Sequence, residues 1–119
     1  MKKTLVIGAS TNPERYSFKA IHALVDSGIE THALGLKKGV VAGVPIMTEA
    51  QEMENIDTVS LYVGPKNQEH WFKAILSLHP RRVIFNPGTE NPTFEKVLES
   101  NGIGIEHACT LVLLATHQF

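Results

Sequence analysis

Along this chain, short continuous apolar runs alternate with stretches in which apolar residues recur every three or four positions. A strand buried on both faces gives the first pattern, and a helix packed on one face gives the second. "TLVIG" at the start therefore predicts a buried strand. From Ser17 to Ser27 the apolar residues Phe18, Ile21, Leu24 and Val25 fall at helical spacing, with Gly28 placed to end the helix in a left-handed turn. "ETHAL" predicts a second strand. "GLKKGVVAGVPIM" predicts a loop with a short extended piece at Val44 to Ile46, and "TEAQEM" a brief helix capped by Thr48. "DTVSLYVG" predicts the third strand, and a helix over 67–78 carries Trp71, Ile75 and Leu78 on one stripe. "RVIFN" is the fourth strand. "NPTFEKVLESNG" has proline near a helix start and glycine just past its end, and "IGIEH" is the fifth strand. The apolar tail "LVLLATHQF" takes no assigned conformation; it can pack on the last strand or make a homodimer contact.

Strands alternating with helices of about ten residues imply an α/β fold, because parallel neighbours need right-handed crossovers that place helices on the sheet. The expected architecture is a three-layer Rossmann-like fold, with a parallel sheet of about five strands and helices on both faces. In such sheets ligands sit beyond the carboxyl ends of the strands, where strand order reverses. The loops that matter are then "GASTNPER", "GLKKG", "VGPKN", "NPGTEN" and "HACT".

Length and composition narrow the function. At 119 residues the chain is expected to form one domain, 1–119, with an ordinary core. Eleven Lys and Arg against twelve acids leave no basic field, which argues against a nucleic-acid partner. The one cysteine, Cys109, cannot close an internal disulfide, and the apolar runs are too short to span a membrane. A cytoplasmic protein is expected.

The loop after the first strand is the first candidate for chemistry. It offers backbone N–H groups and the positive end of a helix dipole, with Ser10 as a hydroxyl donor and Arg15 to pair with an anionic group. The competing reading makes Gly8 a packing necessity and Asn12-Pro13 an ordinary turn. The dinucleotide fingerprint G-x-G-x-x-G fails, since its positions hold Gly8, Ser10 and Pro13. An NAD site also wants an acid after the second strand, yet Lys37 and Lys38 stand there. Lysines suit a phosphorylated ribose, as in coenzyme A (CoA) or NADP, over NAD; the competing reading is a solvated turn, which residue type alone favours.

"GASTNPERYS" resembles the G-A-S-x-x-P-x-R-x-S opening of the small stand-alone CoA-binding proteins, Rossmann-like relatives of the CoA-binding domain of the succinyl-CoA synthetase α subunit. "VVAGVPI", "NPGTEN" and "HACT" resemble further segments of that family, so the resemblance covers nearly the whole chain. It implies that the backbone around Gly8, Ala9 and Ser10 holds the diphosphate, with Asn12, Pro13, Arg15, Tyr16 and Ser17 shaping the same wall. It implies that Lys37 or Lys38 meets the ribose 3′-phosphate or the diphosphate. Val63, Gly64 and Pro65 would flank the adenine, and Asn86 to Gly88 would lie near the phosphates or the start of the pantetheine arm. The chain departs from the family's pattern at Gly35 and Leu36, where Asn-Pro is common, and at Gly64 and Lys66, where an arginine or acid accompanies the proline.

Other chemistry has thinner support. His107, Cys109 and His117 form a loose zinc-ligand set without a compact motif. Cys109 is either a reactive thiol near the thiol end of a bound cofactor or an inert cysteine in an apolar segment. Glu90 and Glu106 read as isolated surface acids. Three functions follow: a non-enzymatic module binding CoA or an acyl-CoA; an enzyme using NADP or an acyl-CoA through residues not identified; or a partner-binding protein with an empty pocket.

Overall fold

The computed structural model describes residues 2–50 and 53–119. Its strands are β1 (Thr4–Ile7), β2 (Thr31–Leu34), β3 (Gly39–Val41), β4 (Val44–Met47), β5 (Thr58–Leu61), β6 (Arg82–Phe85) and β7 (Gly104–His107). The helices are α1 (Tyr16–Asp26), α2 (Glu69–Leu78), α3 (Pro92–Ser100) and α4 (Thr110–Ala115). The seven strands form one sheet in the order β3-β4-β2-β1-β5-β6-β7. Every pairing is parallel except β3 with β4.

Side-chain alternation along the buried strands divides the core. Leu5, Ile7, Val59, Leu61, Val83 and Phe85 face α2 and α3, meeting Trp71, Ile75, Phe94 and Leu98. Val6 and Ala33 face the other way, onto Ile21 and Leu24 of α1, with Val41, Val44 and Ile46 closing that layer. These are the expected three layers.

The sheet is wider than the five strands expected, because the segment read mostly as loop is a hairpin. Ala42 and Gly43, at φ +51° and +78°, make a two-residue turn of the kind whose twist matches paired strands. The extended piece at Val44 to Ile46 is β4, which pairs with β2. The apolar tail forms α4, packed beside α1 with Leu114 against the core. Of the helix expected at "TEAQEM", Gln51 and Glu52 lie outside the described residues, and Thr48, Glu49, Ala50 and Met53 are not helical.

Helix ends follow local chemistry. α1 stops where Gly28 takes φ +75° and Ile29 N–H reaches back to Leu24 O at 3.1 Å. α3 starts at Asn91, whose Oδ1 accepts Phe94 N–H at 3.2 Å, with Pro92 in the first turn. From β1 the chain moves to β2 and out to the edge strand β3, turns back through β4, then crosses to β5 on the opposite side of β1. Strand order therefore reverses between β1 and β5, and in open α/β sheets ligands bind outside the carboxyl ends of the strands at such a reversal.

Candidate functional site

The loop from Gly8 to Arg15 lies at that reversal, and two close approaches shape it. Gly8 has φ +93°, and a Cβ there would stand 2.7 Å from the Tyr62 carbonyl oxygen and 2.9 Å from Val63 Cγ2. Glycine is required by both the turn and the approach of the β5 loop. On the other side, a Cβ on Gly35 would stand 2.5 Å from Ala9 O. The Gly35 departure noted in the sequence is thus what lets the first loop close onto β2.

Hydrogen bonding decides which amides are free for a ligand. Gly8 and Ala9 N–H both donate to the Leu34 carbonyl, at 3.0 and 2.9 Å. Ser10 Oγ accepts Asn12 N–H at 3.1 Å, and Asn12 Oδ1 accepts Glu14 N–H at 3.0 Å. Arg15 N–H donates to Asn12 O at 3.0 Å. The loop is thereby folded by its own polar groups. Among the described residues, the amides of Ser10, Thr11, Tyr16, Ser17 and Phe18 meet no acceptor. α1 has neither a side-chain cap nor an acid in its first turn. Its positive end is left open.

The other expected residues stand along the same edge of the sheet. Lys37 and Lys38 are exposed between β2 and β3, beside Leu36, which is 78% exposed. A Cβ on Gly39 would stand 2.5 Å from Thr11 Cγ2, so the hairpin is seated against the first loop. Tyr16 is 66% exposed, with Lys19 Nζ 5.2 Å from its ring centre. Val63, Gly64 and Pro65 follow β5. The Val63 carbonyl is fixed by Gln68 Nε2 at 2.8 Å, and the same nitrogen donates to Thr89 O.

Asn86 is engaged differently from its neighbours. It is fully buried; Nδ2 donates to Ser60 Oγ at 3.0 Å and Leu61 O at 2.9 Å, and Oδ1 accepts Thr110 N–H at 2.9 Å. Its side chain joins β5, β6 and the start of α4, leaving exposed Pro87 and Gly88 at the tip of the loop. Glu90 Oε1 accepts Gly88 N–H at 2.9 Å.

A profile of the CoA binding domain matches residues 2–115. The chain belongs to the CoA-binding domain family. Its fold is similar to that of an uncharacterized protein of known crystal structure, with 47% identity, a TM-score of 0.96, and coverage of 100% of this chain and 98% of that one. A Thermus thermophilus protein shares the fold at 20% identity and TM-score 0.85, covering 99% of this chain and 91% of its own. A hypothetical protein from Pyrococcus horikoshii OT3 does so at 24% and 0.85, covering 93% and 80%. No curated protein matches.

In this CoA-binding domain, other polar groups near the strand ends have structural partners. Glu106 is not isolated as expected: Arg82 donates to both its oxygens at 3.2 Å, an ion pair formed between adjacent strands. His107 bonds to Glu95 at 2.7 Å. Among the described residues, no three of His, Cys, Asp and Glu gather as a metal site would need, so His107, Cys109 and His117 are not brought together. The Tyr62 hydroxyl is buried beside the Ser60 and Thr110 hydroxyls, which bond to one another at 2.8 Å, and meets neither in good hydrogen-bond geometry. Burial pushes its pKa up to about 12. No helix among the described residues is long and apolar enough to cross a membrane.

Proposed function

We propose that this CoA-binding domain holds CoA, or an acyl-CoA, with the diphosphate seated in the crevice between the β1 and β5 loops. The observation carrying this reading is the open start of α1: free amides at Ser10, Thr11, Tyr16, Ser17 and Phe18, with exposed Arg15 at the helix entrance. Anions at such a helix end gain about 0.3–2 kcal/mol from the dipole, and each charge-assisted hydrogen bond adds about 1.5–3 kcal/mol. In this reading Gly8 and Ala9 shape the cradle while their amides stay with Leu34. Asn12, Pro13, Tyr16 and Ser17 form its wall. Lys37 or Lys38 meets the 3′-phosphate, and Val63, Gly64 and Pro65 flank the adenine. The backbone at Asn86 and Gly88 lies under the first part of the pantetheine arm. The role is cytoplasmic binding rather than catalysis by the cradle residues.

Calorimetric titration with CoA, dephospho-CoA, NAD and NADP tests this. CoA should bind, and dephospho-CoA more weakly. Equal affinity for those two removes the lysine assignment alone. NADP binding in preference to CoA, or no CoA binding down to millimolar, overturns the reading.

A further inference from the structure

Away from the cradle, an imidazole is held in a fixed orientation on the same edge of the sheet. His107 ends β7, with Nε2 2.7 Å from Glu95 Oε1. Glu95 Oε2 accepts Asn91 N–H at 2.9 Å, and Asn91 Nδ2 donates to Gln68 Oε1 at 3.0 Å. The carboxylate is therefore anchored through Gln68 to the Val63 and Thr89 carbonyls of the neighbouring loops. A carboxylate only accepts, so Nε2 must carry the hydrogen, and in the neutral form of the ring the lone pair is then on Nδ1. The Glu95 side chain is 9% exposed and that of His107 is 54% exposed. The buried partner positions; the exposed one faces outward.

Its distance from the cradle matters. The order β1-β5-β6-β7 places His107 three strands from the first loop, about 14 Å at about 4.8 Å per strand. The pantetheine arm runs about fourteen bonds from diphosphate to sulfur, and an extended chain advances roughly 1.1–1.2 Å per bond, giving about 16 Å. In the CoA reading, which puts the 3′-phosphate on the β2 side and the Asn86 and Gly88 backbone of the β6 loop under the arm, the arm leaves toward β6 and β7.

We infer that His107, oriented by Glu95, takes the proton from the thiol of bound CoA. This rests on the CoA reading above. The S–H proton moves to His107 Nδ1, giving an imidazolium whose Nε2–H stays on Glu95. The sulfur keeps the electron pair as a thiolate, able to attack an acyl carbon or a disulfide sulfur. His107 is the proton acceptor and Glu95 a positioning residue. Among the described residues, Glu95 of α3 is the one charged group within ion-pair distance of the ring. From β6 the ring meets Phe85 edge-on at 6.1 Å, and the adjacent Glu106 is paired with Arg82. The Cys109 thiol lies two residues on.

The test uses Cys109→Ser protein, so that CoA carries the only thiol. Reaction with the aryl disulfide 5,5′-dithiobis(2-nitrobenzoate) is followed against pH for free CoA and for CoA with protein in excess. Attack by the thiolate forms the mixed disulfide and releases the aryl thiolate. Near neutral pH, bound CoA should react about tenfold faster than free CoA, because a close imidazolium raises the thiolate fraction. The midpoint of the rate profile should fall accordingly. His107→Asn should remove the acceleration, and Glu95→Gln reduce it, while calorimetry shows CoA still bound to both. A bound-CoA profile that superimposes on the free one or runs slower, or acceleration that survives His107→Asn, overturns the inference. Absence of CoA binding to the parent is seen separately in the calorimetry and overturns the CoA reading together with it.

Discussion

Replacing Gly8 by alanine tests whether the crevice depends on the approach of its two walls. The substitution forces a residue with a Cβ to φ +93° and sets that carbon 2.7 Å from Tyr62 O, 2.9 Å from Tyr62 C and 2.9 Å from Val63 Cγ2. Positive φ costs a non-glycine residue about 1–2 kcal/mol. Overpacking adds about 1–3 kcal/mol, and a backbone carbonyl cannot rotate aside as a side chain can. The sum is about 2–5 kcal/mol, a large share of the roughly 5–15 kcal/mol that holds a domain together. Urea unfolding followed by the fluorescence of Trp71, which is 4% exposed, measures it. At a slope of about 2 kcal/mol per molar, the midpoint should fall by about 1–2.5 M. Gly64→Ala is the matched control on the opposite wall. Gly64 has φ −62° with nothing within 4 Å of its Cβ direction, so its midpoint should move by less than about 0.5 kcal/mol in equivalent stability. The reasoning fails if Gly8→Ala is as stable as the parent, or if the two variants lose the same amount.

Arg15→Ala should weaken CoA binding by about 1–3 kcal/mol in calorimetry; an unchanged affinity would return Arg15 to the solvent. Tyr62→Phe should match the parent in urea or exceed it by up to about 1 kcal/mol, because the hydroxyl it removes is buried and unpaired; a clear loss would reveal a hydrogen bond. Since the folded Tyr62 pKa is raised to about 12, the parent should also lose stability as pH climbs from about 10 toward that value, and the phenylalanine variant should lose less. Arg81, bonded to Asp57 at 2.9 and 3.1 Å, holds that carboxyl below its usual range, so its stabilisation is present at neutral pH and lost as pH falls through the folded pKa. Asp57→Asn should therefore cost about 0.5–1 kcal/mol near pH 7, a modest figure because Arg81 is 58% exposed, and the gap should narrow in thermal melts as pH falls through the carboxylate range; a constant gap would refute the assignment.

Long apolar runs and helical periodicities were legible because burial on one or two faces leaves a direct trace in residue order. The β3–β4 hairpin was harder to see: its turn is Ala42-Gly43, and alanine at a positive φ hides the Asn-Gly signal usual for such a turn. α4 has only six residues, too few for a helical period to stand out from an apolar run. Within the candidate site, the "GASTNPER" loop could be located from residue order, but which of its amides are left free could not. That Gly8 and Ala9 donate to Leu34, and that Gly35 clears the Ala9 carbonyl, depends on strands brought together by pairing. The same holds for Glu106, whose partner Arg82 is distant in sequence and adjacent in the sheet. Nothing in the local sequence around Asn86 announces the three partners, Ser60, Leu61 and Thr110, that enclose its side chain.

The shared acceptor at Leu34 has a kinetic consequence. By taking two successive amides it makes the first turn of the crevice an extension of the β1–β2 ladder, so the curvature there is inherited from folding and does not wait for a visitor. Hydrogen exchange at Gly8 and Ala9 should then be as slow as in β1 even in the empty protein, with fast exchange starting at Ser10 and Thr11. Under the CoA reading, capture would proceed on a turn already formed, with encounter rather than rearrangement limiting its rate.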